Sequence, residues 1–206
     1  MKSYDLRMTD EKPYHHGDLA AALLRAAEAE LAERGIEAFS LRQVAKRAGV
    51  SHAAPAHHFG DANGVLTALA ALGFQEFLAT QHAHEELAPK NPRDQLIAAG
   101  LGYISFARAR PTLFRLMFGS QRTDYDNPAL KAAADNAIVH LMTQVTLTGG
   151  NLAQDVTAVW ATAHGLADLL VAGRMKVLTA MSEEALQAML AAILARSLPD
   201  AGQSVI

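Results

Sequence analysis

Arg42, Lys46 and Arg47 fall within residues 40–60, a segment without Asp or Glu. Its local formal charge is +3, in a chain whose formal net charge is −3. Three cations without a local anion are suited to phosphate oxygens, contacts that position a protein on a duplex without reading its bases. A second possible chemistry is metal binding. The chain has nine histidines, including His15-His16, His57-His58, His82-x-His84 and His164 four residues before Asp168. On a helix, however, His82 and His84 lie on roughly opposite faces, and spacing suggests no third ligand. A third possibility, catalysis, finds little support. There is no glycine-rich phosphate loop, no G-x-S-x-G and no H-E-x-x-H. Glu85-Glu86 and Glu183-Glu184 read as solvated acids. With no cysteine, thiolate zinc sites, disulfides and thiol nucleophiles are excluded. The expectation is a non-enzyme with no catalytic residue, no metal ligand and no cofactor. A histidine-based metal protein or enzyme is the competing class.

The elements that must carry the cations are short helices. Ser40 followed by Gln43 has capping-box spacing and opens a helix from about Leu41 to Ala48. Leu41, Val44, Ala45 and Ala48 face inward at helical spacing, which leaves Arg42, Lys46 and Arg47 outward. Gly49 allows a sharp turn, Val50 can plug the angle, and Ser51 is placed to cap the next helix. This is the arrangement of a helix-turn-helix, whose second helix enters the major groove. On spacing alone, a solvated helical hairpin remains the alternative.

The rest of the chain is punctuated the same way. Asp18 can cap a helix with the stripe Leu19, Leu23, Ala27 and Leu31, stopped by Gly35. Asp61 starts a longer helix. Asn91-Pro92 and Asn127-Pro128 place caps before prolines. Gly149-Gly150-Asn151 closes one helix and opens another, and Ser182-Glu183-Glu184 starts the last. No stretch alternates as a strand does. The expected fold is all-α with about nine helices. The 206 residues are 50% hydrophobic, enough for a real core. The first residues lack a signal-type apolar run. The most apolar run, 156–175, is interrupted by His164, Asp168 and Arg174, so no membrane partner is expected and the location is read as cytoplasmic.

The segment resembles the DNA-binding domain of the TetR family of bacterial transcriptional regulators. His16-Gly17-Asp18-Leu19, Ala32-Glu33-Arg34-Gly35, Ser40-Leu41-Arg42-Gln43-Val44-Ala45, Ala48-Gly49-Val50-Ser51 and His57-His58-Phe59-Gly60-Asp61 carry the resemblance. Further on, residues 113–119 (LFRLMFG), Trp160 and His164-Gly165 resemble the subgroup named for a Trp-His-Gly signature. The likeness spans about 14–197. It implies a helix-turn-helix domain at 1–65, with 1–14 a flexible arm, and a ligand-sensing and dimerisation domain at 66–206. It implies a recognition helix from about His52 to Phe59, with Ser51, His52, Ala53, His57 and His58 at DNA-contacting positions. Ser40 and Arg42 match the phosphate-contacting start of the preceding helix, and Lys46 completes the expected DNA-binding set. Phe59 is expected in the core. The chain departs from its relatives at Ala56, where tyrosine is common, and at Ala62, where lysine is common. Both departures remove phosphate contacts.

In the C-terminal region the resemblance implies an effector pocket whose occupant changes the spacing of two DNA-binding heads. Tyr103, Phe106, Phe114, Met117, His140, Trp160 and His164 are the lining candidates, for a small apolar or aromatic effector. Ordinary core packing is the alternative for each. The resemblance also implies that helices at about 152–174 and 183–197 pair with their mates in a homodimer. Leu166, Leu169, Leu170, Leu186, Met189, Leu190, Ile193 and Leu194 are the interface candidates, with a monomer core as the alternative. The functional expectation is a repressor that binds a pseudo-palindromic double-stranded operator. The same fold with weak DNA binding, or with no small-molecule effector, is the second reading.

Overall fold

The computed structural model describes residues 16–198, and among them it has ten helices and no strand. The expected arm at 1–14 lies outside the described residues, as does His15. Three helices form the amino-terminal head: α1 (His16–Arg34), α2 (Leu41–Ala48) and α3 (Ala54–Phe59). The long α4 (Ala62–Leu87) leads into α5 (Pro92–Ala109), α6 (Pro111–Gly119) and α7 (Pro128–Leu147). The chain then forms α8 (Leu152–Val171), the single turn α9 (Lys176–Thr179) and α10 (Glu183–Arg196). Neither α6 nor that single turn has a start signal in the punctuation.

The expected caps hold at most helix starts. Asp61 accepts from Gly64 N, Asn91 from Asp94 N, Asn127 from Ala129 and Leu130 N, Asn151 from Ala153 and Gln154 N, and Ser182 from Ala185 N. Three expectations need correction, one of them Ser51, because Ala53 holds the cap position of α3. Asp18 lies within α1 (His16–Arg34) and not before it. Ser40 occupies the cap position of α2 with extended backbone, but its side chain makes no capping hydrogen bond.

The stripe on α1 packs as its spacing predicts, with Leu23, Ala27 and Leu31 essentially inaccessible. α4 joins the two halves of the molecule. Near its start it packs on α1 and α3, and further along it packs on α5, α6 and α7. α8 and α10 cover α5 from the other side. The expected division at residue 65 therefore falls within one continuous helix. At two crossings the backbones meet closely. A Cβ on Gly64 would lie 1.8 Å from the Phe59 carbonyl oxygen, and one on Gly102 would lie 2.7 Å from Gln81 Cα. Only glycine permits either approach.

α4, rather than 156–175, is long and apolar enough to cross a bilayer, but half of its most apolar window is buried inside the molecule. It is a core helix by packing.

Candidate functional site

The head is built around one turn. Gly49 ends α2 in the left-handed conformation at φ 68°. Gly49 N then bonds Lys46 O at 3.3 Å and Val50 N bonds Ala45 O at 3.1 Å, which is the paired pattern of a Schellman stop. Val50 packs against the core. α3 starts at Ala54, two residues later than expected, with Pro55 in its first turn. Proline has no N–H to offer an established helix and suits an initial turn. His52 and Ala53 thus precede the helix, and the Ser51 carbonyl accepts from Ala54 N at 3.0 Å. α3 ends at Gly60, φ 81°, directly against the start of α4.

This turn leaves an exposed polar face. Arg42, Gln43, Lys46, Ser51, His52, Ala53, Ala56 and His57 are exposed, whereas Ser40, His58 and Phe59 are half-buried. Phe59 packs against the core as expected. Arg42 and Lys46 make no hydrogen bond or ion pair with any described residue. Arg47 behaves differently. Its Nε meets Glu30 Oε2 at 2.9 Å, and its Nη2 pairs with Glu33. Glu30 is 1% exposed, so Arg47 neutralises a buried carboxylate and locks α2 onto α1. The same guanidinium holds the Glu33 carboxyl below its ordinary range. The expectation that all three cations point to an external partner is corrected here. The face carries Arg42 and Lys46, and Arg47 belongs to the scaffold. Of the two departures, Ala56 leaves a bare exposed position, while Ala62 packs partly against the core.

The head is also tied to the C-terminal region. Arg122, between α6 and α7, donates to Asn63 Oδ1 at 3.1 Å and to the Ile36 carbonyl at 2.6 Å. Arg110 pairs with Glu28 on α1 and with Glu76 Oε2 on α4, the latter at 3.0 Å. Asp124 N donates to Thr67 Oγ1 at 3.0 Å. These contacts give displacement of α6 or of the α6–α7 segment a direct route into the head.

α4, α5, α7 and α8, with Phe118 of α6 and Tyr125, line a partly open cavity of about 270 Å³. Phe74, Phe77, Leu96, Phe118, Ile138, Leu141 and Val159 give it an apolar wall, and Gln81, Tyr103, Asp135, His140 and Trp160 add polar groups. An apolar cavity with a few placed polar groups is the usual form of a small-molecule site. Gln81 is 6% exposed. Its amide nitrogen donates to the Ala99 carbonyl at 3.1 Å, while its Oε1 is buried without a partner. Tyr103 OH bonds His164 Nδ1 at 2.7 Å. Burial pushes the Tyr103 hydroxyl above its ordinary pKa, an effect that nearby Trp160 offsets in part.

Three of the expected lining residues, Tyr103, His140 and Trp160, reach the cavity. Phe106, Phe114, Met117 and His164 are not on its wall. Phe106, Phe114 and Met117 are buried in the core. His164 stands edge-on to Tyr103, with Phe114 and Phe118 at ring distances of 5.4 and 5.3 Å. Helical spacing identifies apolar faces but not which of them border space. Phe74, Phe77 and Gln81 escape a sequence reading because α4 is apolar over much of its surface, so its pattern points to no single pocket.

The interface candidates divide by their burial within the chain. Leu166, Leu170, Leu186, Leu190 and Leu194 are each at most 8% exposed. They pack within the chain's own core, where the layer formed by α8, α10 and α5 uses them. Leu169 and Met189 are 37% and 40% exposed, respectively. Ile193 is half-buried, and Ala185, Ala188 and Ala192 on α10 are exposed.

Residues 23–69 match the family model described as bacterial regulatory proteins, tetR family. Residues 96–193 match the model described as tetracyclin repressor-like, C-terminal domain. A protein of unknown function from a Rhodococcus species is 32% identical, covering 91% of this chain and 99% of that one at a TM-score of 0.76. The regulator PfmR from Thermus thermophilus is 20% identical, with coverage of 86% and 98% and a TM-score of 0.64. FadR from Bacillus subtilis, in complex with stearoyl-CoA, is 13% identical, with coverage of 87% and 97% and a TM-score of 0.66. The last two likenesses concern the fold alone. No curated protein matches the chain.

Proposed function

The chain belongs to the tetR family of bacterial regulatory proteins, and from that premise we propose that it is a cytoplasmic repressor that binds a pseudo-palindromic operator as a homodimer and releases it when a small effector enters the cavity. The observation that carries this reading is the unpaired cationic face. Arg42 and Lys46 stand free on α2, with His52 and His57 also exposed after the turn, on a protein of net negative charge. Arg42 and Lys46 would hold phosphates, together with the uncapped hydroxyl of Ser40. Ser51, His52, Ala53, His57 and His58 would face the groove, and the residues from 51 on are the candidates for base contact. Such a head gains specificity when presented twice at a fixed spacing.

The exposed face of Leu169, Met189, Ala185, Ala188 and Ala192, with Ile193 at its edge, supports pairing of α8 and α10 with a second copy. Small residues there allow close helix approach. Trp160 and His164-Gly165, beside the cavity, support placement in the Trp-His-Gly subgroup. The effector is read as mainly apolar, with a hydrogen-bond donor for Gln81 Oε1. An occupant pressing on Phe118 or Tyr125 would act on the segment that holds Arg122 against the head. Catalysis has no place in this reading.

The test is capture of genomic DNA fragments by the purified protein, followed by affinity and stoichiometry on the captured site. Two chains on an inverted repeat are expected. His52→Ala should change base preference at one position in each half-site, with a cost of about 1–3 kcal/mol there. Failure to enrich any fragment at low salt would reject the reading. Unchanged preference in the variant would remove His52 from base contact.

A further inference from the structure

His140 has a second role besides lining the cavity. Its Nε2 meets Glu85 Oε1 at 2.8 Å, joining α7 to α4. His82 lies one turn before Glu85, on the same face of α4. Its ring stands edge-on to that of His140, with centroids 4.7 Å apart. One ligand-type atom from each of His82, Glu85 and His140 lies within 4.8 Å of the other two. Sequence spacing pairs His82 with His84 and offers no third ligand. The fold instead pairs it with a residue three positions on and another on a different helix.

The carboxylate at the centre is bonded through one oxygen. Glu85 is 6% exposed. Both of its side-chain hydrogen bonds, from His140 and from Gln144 Nε2 at 3.1 Å, fall on Oε1. Oε2 accepts none from any described residue. The nearby Lys90 ammonium goes to the Glu85 backbone carbonyl, at 2.8 Å, and not to the carboxylate. Beside it, Gln144 Oε1 is buried without a partner. A buried charge is ordinarily paired, or it coordinates a metal.

We propose that His82, Glu85 and His140 form a binding site for a divalent transition metal of the zinc and cobalt class. Two imidazole nitrogens and one carboxylate are a donor set that zinc uses when it keeps a coordination position open. Ligand atoms of a tetrahedral site with bonds of about 2.0–2.2 Å lie about 3.4 Å apart. Binding would open the Glu85–His140 contact from 2.8 Å to that spacing and bring in His82, an exposed side chain, by rotation. Gln144 would hold the carboxylate from behind, as outer-sphere partners do. Through His140 the site adjoins the cavity, so its open position is available to water or to a coordinating group on a cavity occupant. The site does not depend on the DNA-binding reading and stands or falls separately.

The experiment uses the untagged full chain, stripped with a chelator and titrated with Co²⁺ alone, followed by visible absorption and then by displacement with Zn²⁺. One equivalent of Co²⁺ per chain is expected. His82→Ala and His140→Ala should each weaken binding at least tenfold, whereas His84→Ala and a His57→Ala/His58→Ala double variant should leave it unchanged. Absence of a saturable cobalt signal would overturn the proposal. Binding that His82→Ala leaves intact, or that His84→Ala lowers equally, would also overturn it. Should His140→Ala fail to fold by circular dichroism, the exposed His82 variant decides.

Discussion

The histidines behave differently in the two halves of the molecule. On the head, His52 and His57 stand in solvent and make no hydrogen bond to any described residue. Around the cavity, His140 is tied to Glu85 and His164 to Tyr103. The arginines divide less cleanly. Arg42 is free on the head, but Arg47, five residues away on the same short helix, is fully engaged. What separates these groups is whether an acid or hydroxyl from another element comes within reach. Unsatisfied exposed donors suit a polyanionic partner, which brings its own acceptors. Satisfied donors hold helices in place and shape a cavity. The boundary between head and cavity is less a division in the chain than a change in how polar groups are satisfied.

The sharpest way to break this comparison is at the joint. Gly64→Ala places a methyl carbon where the Phe59 carbonyl oxygen already lies. The helix-propensity gain of about 1 kcal/mol cannot offset that overlap, and a loss of about 3 kcal/mol is expected. α3 should be displaced, so operator binding should vanish while cavity occupancy, followed by tryptophan fluorescence, survives. A melting temperature equal to the parent's would show that the two halves are not joined through this contact.

Arg47→Ala tests the scaffold role and is expected to be nearly as large. It leaves the buried Glu30 carboxylate without its cation, so the midpoint of chemical denaturation should fall clearly. Glu30→Gln combined with Arg47→Met should recover much of that loss. If Arg47→Ala instead left stability alone and weakened DNA binding, Arg47 would belong with the exposed face.

Arg42→Ala should have the opposite profile. Stability should stay within about 0.5 kcal/mol, while affinity falls on all sequences alike and the salt slope drops by about one phosphate's worth. Unchanged salt dependence would remove Arg42 from the contact set.

The smallest effect concerns acid. Arg108 on α5 makes a two-pronged pair with Glu183 on α10, at 2.8 and 2.9 Å. This pair, with Gln187, holds the Glu183 carboxyl down to about 2. A carboxyl depressed in the folded state adds stability at pH values above its unfolded pKa. That contribution is lost as pH falls from about 4.3 toward 2. Because Glu183 is well exposed, water and salt screen the pair to a few tenths of a kcal/mol. The difference between parent and Glu183→Gln stability should therefore be small above pH 5 and shrink below pH 4.

Much of the head is legible in the sequence. Glycine at 49, proline at 55 and the inward spacing of Leu41, Val44, Ala45 and Ala48 act within a few residues of each other, and local sterics are the same in every fold. The asparagine and serine caps of α5, α7, α8 and α10 are legible for the same reason. The cavity is only half legible. Periodicity distinguishes the inner face of a helix from its outer face, but it does not say whether that face meets another side chain or a void. Tyr103 and Phe106, one turn apart on α5, are equivalent in sequence and not equivalent in space.

The chain alone determined the helical class, the turn between α2 and α3, the excess of base over acid along residues 40–60 and the similarity to a regulator family. All of these follow from short-range backbone chemistry, composition or motif order. Only the tertiary structure decided that Glu30 would claim Arg47, that five of the eight expected interface residues would be used within the chain's own core, and that His82 would find Glu85 and His140 instead of His84. Those outcomes depend on which distant helices come to lie side by side, and packing among many nearly equivalent apolar faces is settled by the whole assembly rather than by any segment of it.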